Sequence, residues 1–320
     1  MKRRLRIAVI GFGKIARDQH VPAIGQSDVF ELVAVVDPHV RAAPVPAFAT
    51  FQALMDAKLP LDAVALCQPP QVRYEAARQA LEAGLAVLME KPPCATVAEA
   101  QTLAELARCS RRALFAAWHS RFCPALPGAR AALATRTVQF ASIDWREDVA
   151  QWHPGQQWIG AAGGLGVFDA GINALSIVTQ LLGSRLHVRD GHLYVPSNWA
   201  TPIAATLVLE TTTGIRVEGN FDWLGPDAPE WVIRLVTDQG EVRVTDGGAR
   251  LWVDGVEQTV APAREYAGVY ARFAELVEQR AVDVDVGPLQ VVADSFLRSR
   301  RERVQPYVMG ATARRADSLA

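Results

Sequence analysis

Lys91 stands between Glu90 and Pro92, directly after the apolar run Leu85-Ala-Val-Leu-Met89. Pro92 biases Lys91 toward extended backbone, and Pro93 does the same for Pro92, so the segment is stiff. An ammonium held there can donate to a reacting hydroxyl and can stabilise a developing alkoxide. A second group of reactive side chains follows Gly164. Asp169, Asn173 and Ser176 fall at i, i+4 and i+7, so they share one face of a helix otherwise carrying Val167, Phe168, Ile172, Leu175 and Ile177. Polar groups on such a helix line a cleft. Asp169 can accept a proton, whereas Asn173 cannot exchange one at neutral pH and only orients a hydroxyl. The base is therefore Asp169 or Lys91; Asp169 is favoured, with Lys91 keeping its charge. The plainer alternatives are a surface lysine packing its stem and a buried polar ladder satisfied by backbone.

A third group is built of glycine. Gly11-x-Gly13-x-x-Ala16 follows the strand-like Arg6-Ile-Ala-Val-Ile10, and Asp37 ends the run Glu31-Leu-Val-Ala-Val-Val36. Gly11 permits a tight turn, Gly13 lets backbone approach a pyrophosphate, and a small residue at 16 lets a helix pack on the strand. Asp37 lies roughly the expected ~20 residues beyond, where a carboxylate holds adenosine ribose hydroxyls. A glycine turn that merely packs is the alternative, but strand, turn, helix, strand and acid arriving in order favour a dinucleotide.

The surrounding pattern supplies elements to position these groups. Asp18–Ser27, Phe51–Ala57 and Tyr74–Ala83 suit helices, and Thr96 opens another with Glu99 three residues on, a capping box. Asp62–Cys67, Leu85–Glu90 and Arg112–Trp118 read as further strands. Strands alternating with helices mean a doubly wound parallel sheet with ligands at the strands' carboxyl ends. That shortlists Gly11, Asp37, Cys67-Gln68-Pro69-Pro70, Glu90-Lys91-Pro92-Pro93 and Trp118-His119. Past about residue 120 the pattern changes to one long helical run, Gly163–Leu182, then strands at Leu186–Val195, Ile203–Thr211, Ile215–Leu224, Trp231–Asp238, Glu241–Thr245 and Arg250–Val253. Thr137–Glu147 also alternates as a strand. Gln239-Gly240 and Gly247-Gly248 suit hairpin turns, and Arg264–Gln279 and Leu289–Arg301 read as closing helices. The expected architecture is α/β: a dinucleotide-binding domain over 1–120, an α+β domain with a large, open, mainly antiparallel sheet over 121–305, and a disordered tail over 306–320.

Composition narrows the function. A chain of 320 residues, 50% hydrophobic and 21% charged, is that of an ordinary globular protein able to bury a large core. A net charge of −1 offers no basic excess for nucleic acid. Cys67, Cys94, Cys109 and Cys123 show neither metal-ligand nor paired spacing, which suits a reducing cytosol. The basic start Met1-Lys-Arg-Arg4 runs into a short strand rather than a signal h-region, and no segment is long enough to span a membrane. Six scattered histidines give no metal spacing.

Gly11-x-Gly13-x-Ile15-Ala16, Glu90-Lys91-Pro92 and Asp169-x-Gly171 resemble the glucose–fructose oxidoreductase/inositol dehydrogenase (Gfo/Idh/MocA) family along almost the whole chain. Longer stretches are similar to its bacterial aldose 1-dehydrogenases of the L-arabinose and D-galactose type: Gly13-Lys-Ile-Ala-Arg-Asp-Gln-His20, Glu90-Lys-Pro-Pro-Cys-Ala-Thr96, Trp118-His-Ser-Arg121, Trp152-His-Pro-Gly155 and Gly164-Leu-Gly-Val-Phe-Asp169 with Gly171-Ile-Asn-Ala-Leu-Ser-Ile-Val178. The resemblance implies a Rossmann domain followed by an open-sheet domain, and oxidation of an aldose at C1 to its lactone. Many relatives carry histidine where this chain has Asn173, a departure that leaves the proton acceptor to Asp169 or Lys91. Cofactor contacts are expected from Gly11, Gly13, Lys14, Ile15, Asp37, Cys67, Gln68, Pro69, Glu90 and Lys91. For a sugar, Lys91, Asp169 and Asn173 are joined by Glu147, which can accept hydroxyls, by Trp152, His153 and Trp231, which offer flat apolar faces and a donor, and by His119. His20 reads as structural.

NAD is the expected coenzyme, because a 2′-phosphate would meet the Asp37 carboxylate; Arg41, the nearest full cation, allows some use of NADP. A homodimer or homotetramer is expected through the outer face of the second sheet, bearing Leu207, Leu209 and Val217 or their neighbours. Other readings are a dehydrogenase of the same family acting on an inositol or dihydrodiol, and a regulator that binds dinucleotide without turnover.

Overall fold

The computed structural model describes residues 3–40, 43–152, 155–224 and 229–308. The chain forms two compact units. One runs to Phe122 and also takes in Arg264–Val286; the other comprises Cys123–Ala263 and the chain from Gly287 on.

The first unit is a parallel sheet built from β1 (Leu5–Ile10), β2 (Phe30–Val36), β3 (Ala47–Phe48), β4 (Ala63–Leu66), β5 (Ala86–Glu90) and β6 (Leu114–Ala117). The spatial order is β6-β5-β4-β1-β2-β3, with Val282–Asp283 added parallel to β6 at the edge. Alternate residues of each strand enter opposite cores. Ala8, Ile10, Val64, Leu66, Val87 and Met89 pack with Ala77, Leu81, Leu103 and Ala107 from the helices Arg73–Glu82 and Val97–Ser110. Ile7, Val9, Val35, Ala65 and Leu88 pack on the other side with Ile24, Val269, Tyr270, Phe273 and Leu276. The last four lie on the helix Glu265–Gln279, which explains why the chain returns: that face would otherwise be bare. An uninterrupted second domain over 121–305 does not describe this crossing. Thr96 caps its helix, accepting the Glu99 N–H while Glu99 accepts that of Thr96.

The helix after β1 starts earlier than Asp18. Ala16–His20 forms a wide π-helical turn, and Val21–Gly25 continues as α-helix. The Val21 N–H reaches back five residues to the Ala16 carbonyl, and Pro22 has no N–H for Asp18, so the ladder cannot close in the ordinary register.

The second unit holds a sheet of β7 (Val138–Arg146), β8 (Leu186–Pro196), β9 (Ala204–Thr211), β10 (Arg216–Asp222), β11 (Glu230–Thr237), β12 (Gly240–Thr245), β13 (Arg250–Val253) and β14 (Val256–Gln258). Its order is β14-β13-β12-β11-β7-β10-β9-β8, with Arg300–Val304 at the far edge. Pairing is antiparallel except β7 with β10 and β8 with Arg300–Val304. That edge strand occupies the end of the expected helix 289–301, which stops at Arg298. The helix Phe168–Leu182 crosses one face, where Phe168 meets Phe221 of β10 edge-on at 5.5 Å. Gly171 lets it approach: a Cβ there would lie 2.6 Å from the Phe221 ring.

Leu207, Leu209 and Val217 are 2%, 0% and 0% exposed. They belong to the buried side, in step with Ala141, Ile143, Phe221 and Leu235, so of the two alternatives it is their neighbours, one residue away in register, that face outward. Their neighbours Thr206, Glu218 and Asn220 occupy the other face, with Asp144, Asp190 and His192, around a cavity of about 590 Å³. The ordered chain also continues past 305: Tyr307 is buried, and Asn198 bonds both its N–H and its carbonyl.

Candidate active site

At the carboxyl edge of the first sheet the glycine turn is packed from below and open above. Gly11 has φ +87°, and a Cβ there would lie 2.6 Å from the Gln68 nitrogen, so a left-handed turn and a backbone neighbour both demand glycine. Gly13 is different, since a Cβ would meet no protein atom within 4 Å. Packing does not require glycine there; a ligand approaching the backbone would. Asp37 accepts the Phe12 N–H at 2.9 Å through one carboxylate oxygen and the His39 N–H at 2.8 Å through the other. Lys14 is exposed and pairs with Asp18, while Ile15 is half-buried at the helix start. Cys67 and Gln68 follow β4, half-buried, and Pro69 is exposed. Arg41 lies outside the described residues. This turn fits a dinucleotide, with Gly13 free to be approached and Asp37 already oriented by backbone N–H groups.

Around Glu90 the structure assembles a buried polar network. Glu90 Oε1 accepts from His20 Nε2 at 3.0 Å and from the Tyr266 hydroxyl at 2.6 Å, and Oε2 accepts the Lys91 N–H at 2.8 Å. His20 Nδ1 meets the Tyr270 hydroxyl at 2.8 Å. Burial alone would push the His20 imidazole down; Cys67, Tyr270 and the Glu90 carboxylate outweigh it and hold its pKa well above the ordinary histidine value. Burial alone would raise Glu90; the hydrogen bond and charge of His20 prevail and bring it to about 2. Burial and the Glu90 charge raise Tyr266, and burial takes Tyr270 to about 12. His20 is thus packed and satisfied, as a structural histidine should be. Glu90, expected to touch cofactor, spends its carboxylate on protein donors. His119 pairs with Glu265 at 2.7 Å and stacks on Tyr266. Lys91, half-buried, emerges from this network.

Arg73 completes the edge and was absent from the sequence reading. It opens the helix Arg73–Glu82, is 2% exposed, and donates to the carbonyls of Gln68, Glu90 and Pro92. One signal could have found it: a cation in the first turn opposes the helix dipole, so the residue needs another reason to be there.

In the second unit, Gly164 and Gly166 shape the entry to the helix Phe168–Leu182. A Cβ at either would lie 2.2 Å from a carbonyl oxygen, of Ile159 and Pro202 respectively. Asp169 sits in the first turn, 5% exposed, and half-buried Asn173 lies one turn on. Ser176 does not line a cleft with them: it is fully buried and its hydroxyl donates to the Asn173 carbonyl at 2.7 Å. Glu147 is buried and accepts the indole N–H groups of Trp231 at 2.8 Å and Trp223 at 3.3 Å. It and Trp231 are therefore brought together, with Trp145 stacked on Trp231 at 6.0 Å. Trp152 closes a short helix, Val149–Trp152, and His153 lies outside the described residues. Among the described residues no group of three or more His, Cys, Asp or Glu could hold a metal ion, and no helix is long and apolar enough to cross a membrane.

A parallel sheet with a glycine turn, an acid after its second strand and a lysine after its fifth defines an oxidoreductase built on a dinucleotide-binding fold. Residues 5–117 match the Gfo/Idh/MocA model, described as an oxidoreductase family with an NAD-binding Rossmann fold. The chain belongs to that family. It is 45% identical to galactose 1-dehydrogenase from Pseudomonas fluorescens over 310 residues, covering 95% of this chain and 98% of that one. The crystal structure of a D-galactose-1-dehydrogenase protein from Rhizobium etli superposes with a TM-score of 0.91 at 44% identity, covering 95% and 98% of the two chains. A 3-ketoreductase mutant from Actinomadura kijaniata, solved with TDP-benzene and NADP, shares the fold at a TM-score of 0.82 and 18% identity, covering 94% and 99%.

Proposed function

We propose that this protein oxidises the C1 hydroxyl of an aldose with D-galactose or L-arabinose ring stereochemistry to the corresponding lactone, with NAD preferred over NADP. The observation that carries the reading is the 45% identity to a galactose 1-dehydrogenase along 95% of this chain, both units included. Bound nicotinamide supplies the hydride acceptor. Lys91 orients the reacting hydroxyl and stabilises the charge that builds on it, its backbone held by the Glu90 carboxylate. Asp169 takes the hydroxyl proton, and Asn173 orients the sugar without exchanging one. Trp231, fixed by Glu147, offers an indole face to a sugar ring.

Gly11, Gly13, Lys14 and Ile15 form the phosphate side of the coenzyme site, Asp37 the adenosine side, and Cys67, Gln68 and Pro69 the strand end beside it. The Asp37 carboxylate keeps acceptor capacity for ribose hydroxyls and repels a 2′-phosphate. The protein works as a homodimer or homotetramer, with the mixed polar sheet face of Thr206, Glu218 and Asn220 as the contact. A panel of aldoses, inositols and dihydrodiols assayed with NAD and NADP tests the reading. D-galactose or L-arabinose with NAD should give the highest kcat/KM; turnover only with a cyclitol or dihydrodiol would refute it.

A further inference from the structure

The peptide unit joining Glu90 to Lys91 is held at both poles. Its carbonyl accepts from Arg73 Nη1, and its N–H donates to Glu90 Oε2 at 2.8 Å. The same Arg73 nitrogen donates to the Pro92 carbonyl, so one guanidinium brackets Lys91 from the residue before to the residue after. Its other terminal nitrogen donates to the Gln68 carbonyl. The turns that leave β4 and β5 are therefore tied together by a single side chain.

Burying a guanidinium to 2% exposure is costly, and placing it in the first turn of a helix adds an unfavourable dipole interaction. An apolar side chain would fill this place in the core at lower cost. A guanidinium offers something an alkyl group or an ammonium cannot: a rigid plate with donors spread along its edges, able to reach three carbonyls from different residues in one fixed arrangement.

We infer that Arg73 is a positioning residue, setting the backbone of Lys91 and locking the Gln68 turn to it so that the ammonium works from one direction. The inference rests on the reading of Lys91 as a group that touches the reacting hydroxyl. At 2% exposure and with donors on three backbone carbonyls, Arg73 is assigned an action through Lys91 rather than on sugar or coenzyme. Its loss should act on kcat rather than on sugar KM, because displacements on the order of 1 Å cost up to ~10²-fold in rate.

Arg73→Lys, Arg73→Gln and Arg73→Ala are compared with the unmodified enzyme and with Lys91→Ala. Folded fraction is followed by circular dichroism, coenzyme dissociation constant by fluorescence, and kcat and KM with D-galactose. The folded lysine or glutamine variant should lose about 10- to 100-fold in kcat, with sugar KM and coenzyme dissociation constant within about threefold. In Arg73→Ala, millimolar guanidinium should restore part of the lost kcat, and ammonium at equal ionic strength should not. A folded Arg73 variant with kcat within about twofold of the unmodified enzyme would overturn the inference. So would a loss that guanidinium does not relieve and that matches the fall in folded fraction, or failure of all three variants to fold. Full turnover by Lys91→Ala would instead refute the role of Lys91, whatever the Arg73 variants do.

Discussion

Asp37 Oδ2 accepts the backbone N–H of Phe12 at 2.9 Å, so the acid after β2 and the glycine turn after β1 form one bonded unit. The residue proposed to select the coenzyme also shapes the turn. Asp37→Ser combined with Pro38→Arg should shift the kcat/KM ratio toward NADP, as the repelling carboxylate gives way to a cation. The same change should lower stability by about 1 kcal/mol through the lost hydrogen bonds to Phe12 and His39. Steady-state kinetics with both coenzymes and urea unfolding check the two halves. A higher kcat/KM with NADP in the unmodified enzyme would contradict the role given to Asp37.

The two glycines of the turn should separate in their effects. Gly11→Ala forces a left-handed residue and a 2.6 Å approach to Gln68 backbone that cannot yield, so stability should fall by at least ~1–2 kcal/mol. Gly13→Ala meets nothing within 4 Å; it should leave unfolding almost unchanged and weaken coenzyme binding. Urea midpoints and fluorescence titration distinguish them, and equal destabilisation by both would argue that Gly13 serves packing.

The His20–Glu90 pair gives stability a defined dependence on pH. His20 is held above the ordinary histidine value, so its contribution is complete below ~6.5 and is lost as pH rises through the folded value. Glu90, at about 2, contributes above ~4.3 and loses that contribution as pH falls toward its folded value. Stability from this pair should therefore be greatest between about pH 4.5 and 6.5. Tyr266 and Tyr270, raised by burial, stay neutral across that window, leaving Cys67, His119 and Glu265 as the other titratable neighbours. His20→Gln should flatten the alkaline limb of a plot of urea midpoint against pH. An unchanged slope would show that His20 is not its source.

Most of the first unit was legible because each local signal agreed with its neighbours. β-branched runs, the glycine turn, the acid at Asp37 and the Thr96–Glu99 box all specify the same α/β pattern. What escaped depended on partners distant in sequence. Arg300 and Arg301 read as the end of a closing helix, and Arg300–Val304 becomes a strand only because β8 offers an edge. The helix Ala125–Leu133 contains Pro127 and Gly128, which look like breakers; Gly128 is there because a Cβ would lie 2.6 Å from Leu251. Whether Leu207, Leu209 and Val217 or their neighbours face outward stayed open, since alternation reveals two faces without saying which one a helix covers. In the candidate site, Lys91 and Asp169 stand out by residue type and position, whereas the engagement of Glu90 with His20 and of Glu147 with Trp223 and Trp231 is a matter of three-dimensional neighbours.

Lys91→Ala and Asp169→Ala should each lower kcat by ~10²–10⁴ while leaving coenzyme affinity largely intact. Their positions support this: Lys91 follows β5 and Asp169 opens the helix Phe168–Leu182, and neither belongs to the glycine turn that follows β1. Single-turnover kinetics and coenzyme titration check it. A double variant oxidising aldose at near the unmodified rate would remove both from the chemistry.

The central claim is hydride removal from C1 of an aldose, and isotope transfer reads it without reference to any variant. D-galactose deuterated only at C1 is incubated with the enzyme and NAD, and the reduced coenzyme and the sugar product are analysed by mass spectrometry. The account predicts one deuterium in the reduced coenzyme and an unlabelled galactonolactone. Reduced coenzyme free of deuterium, with the label kept in an oxidised sugar, would place the reaction at another carbon and contradict it.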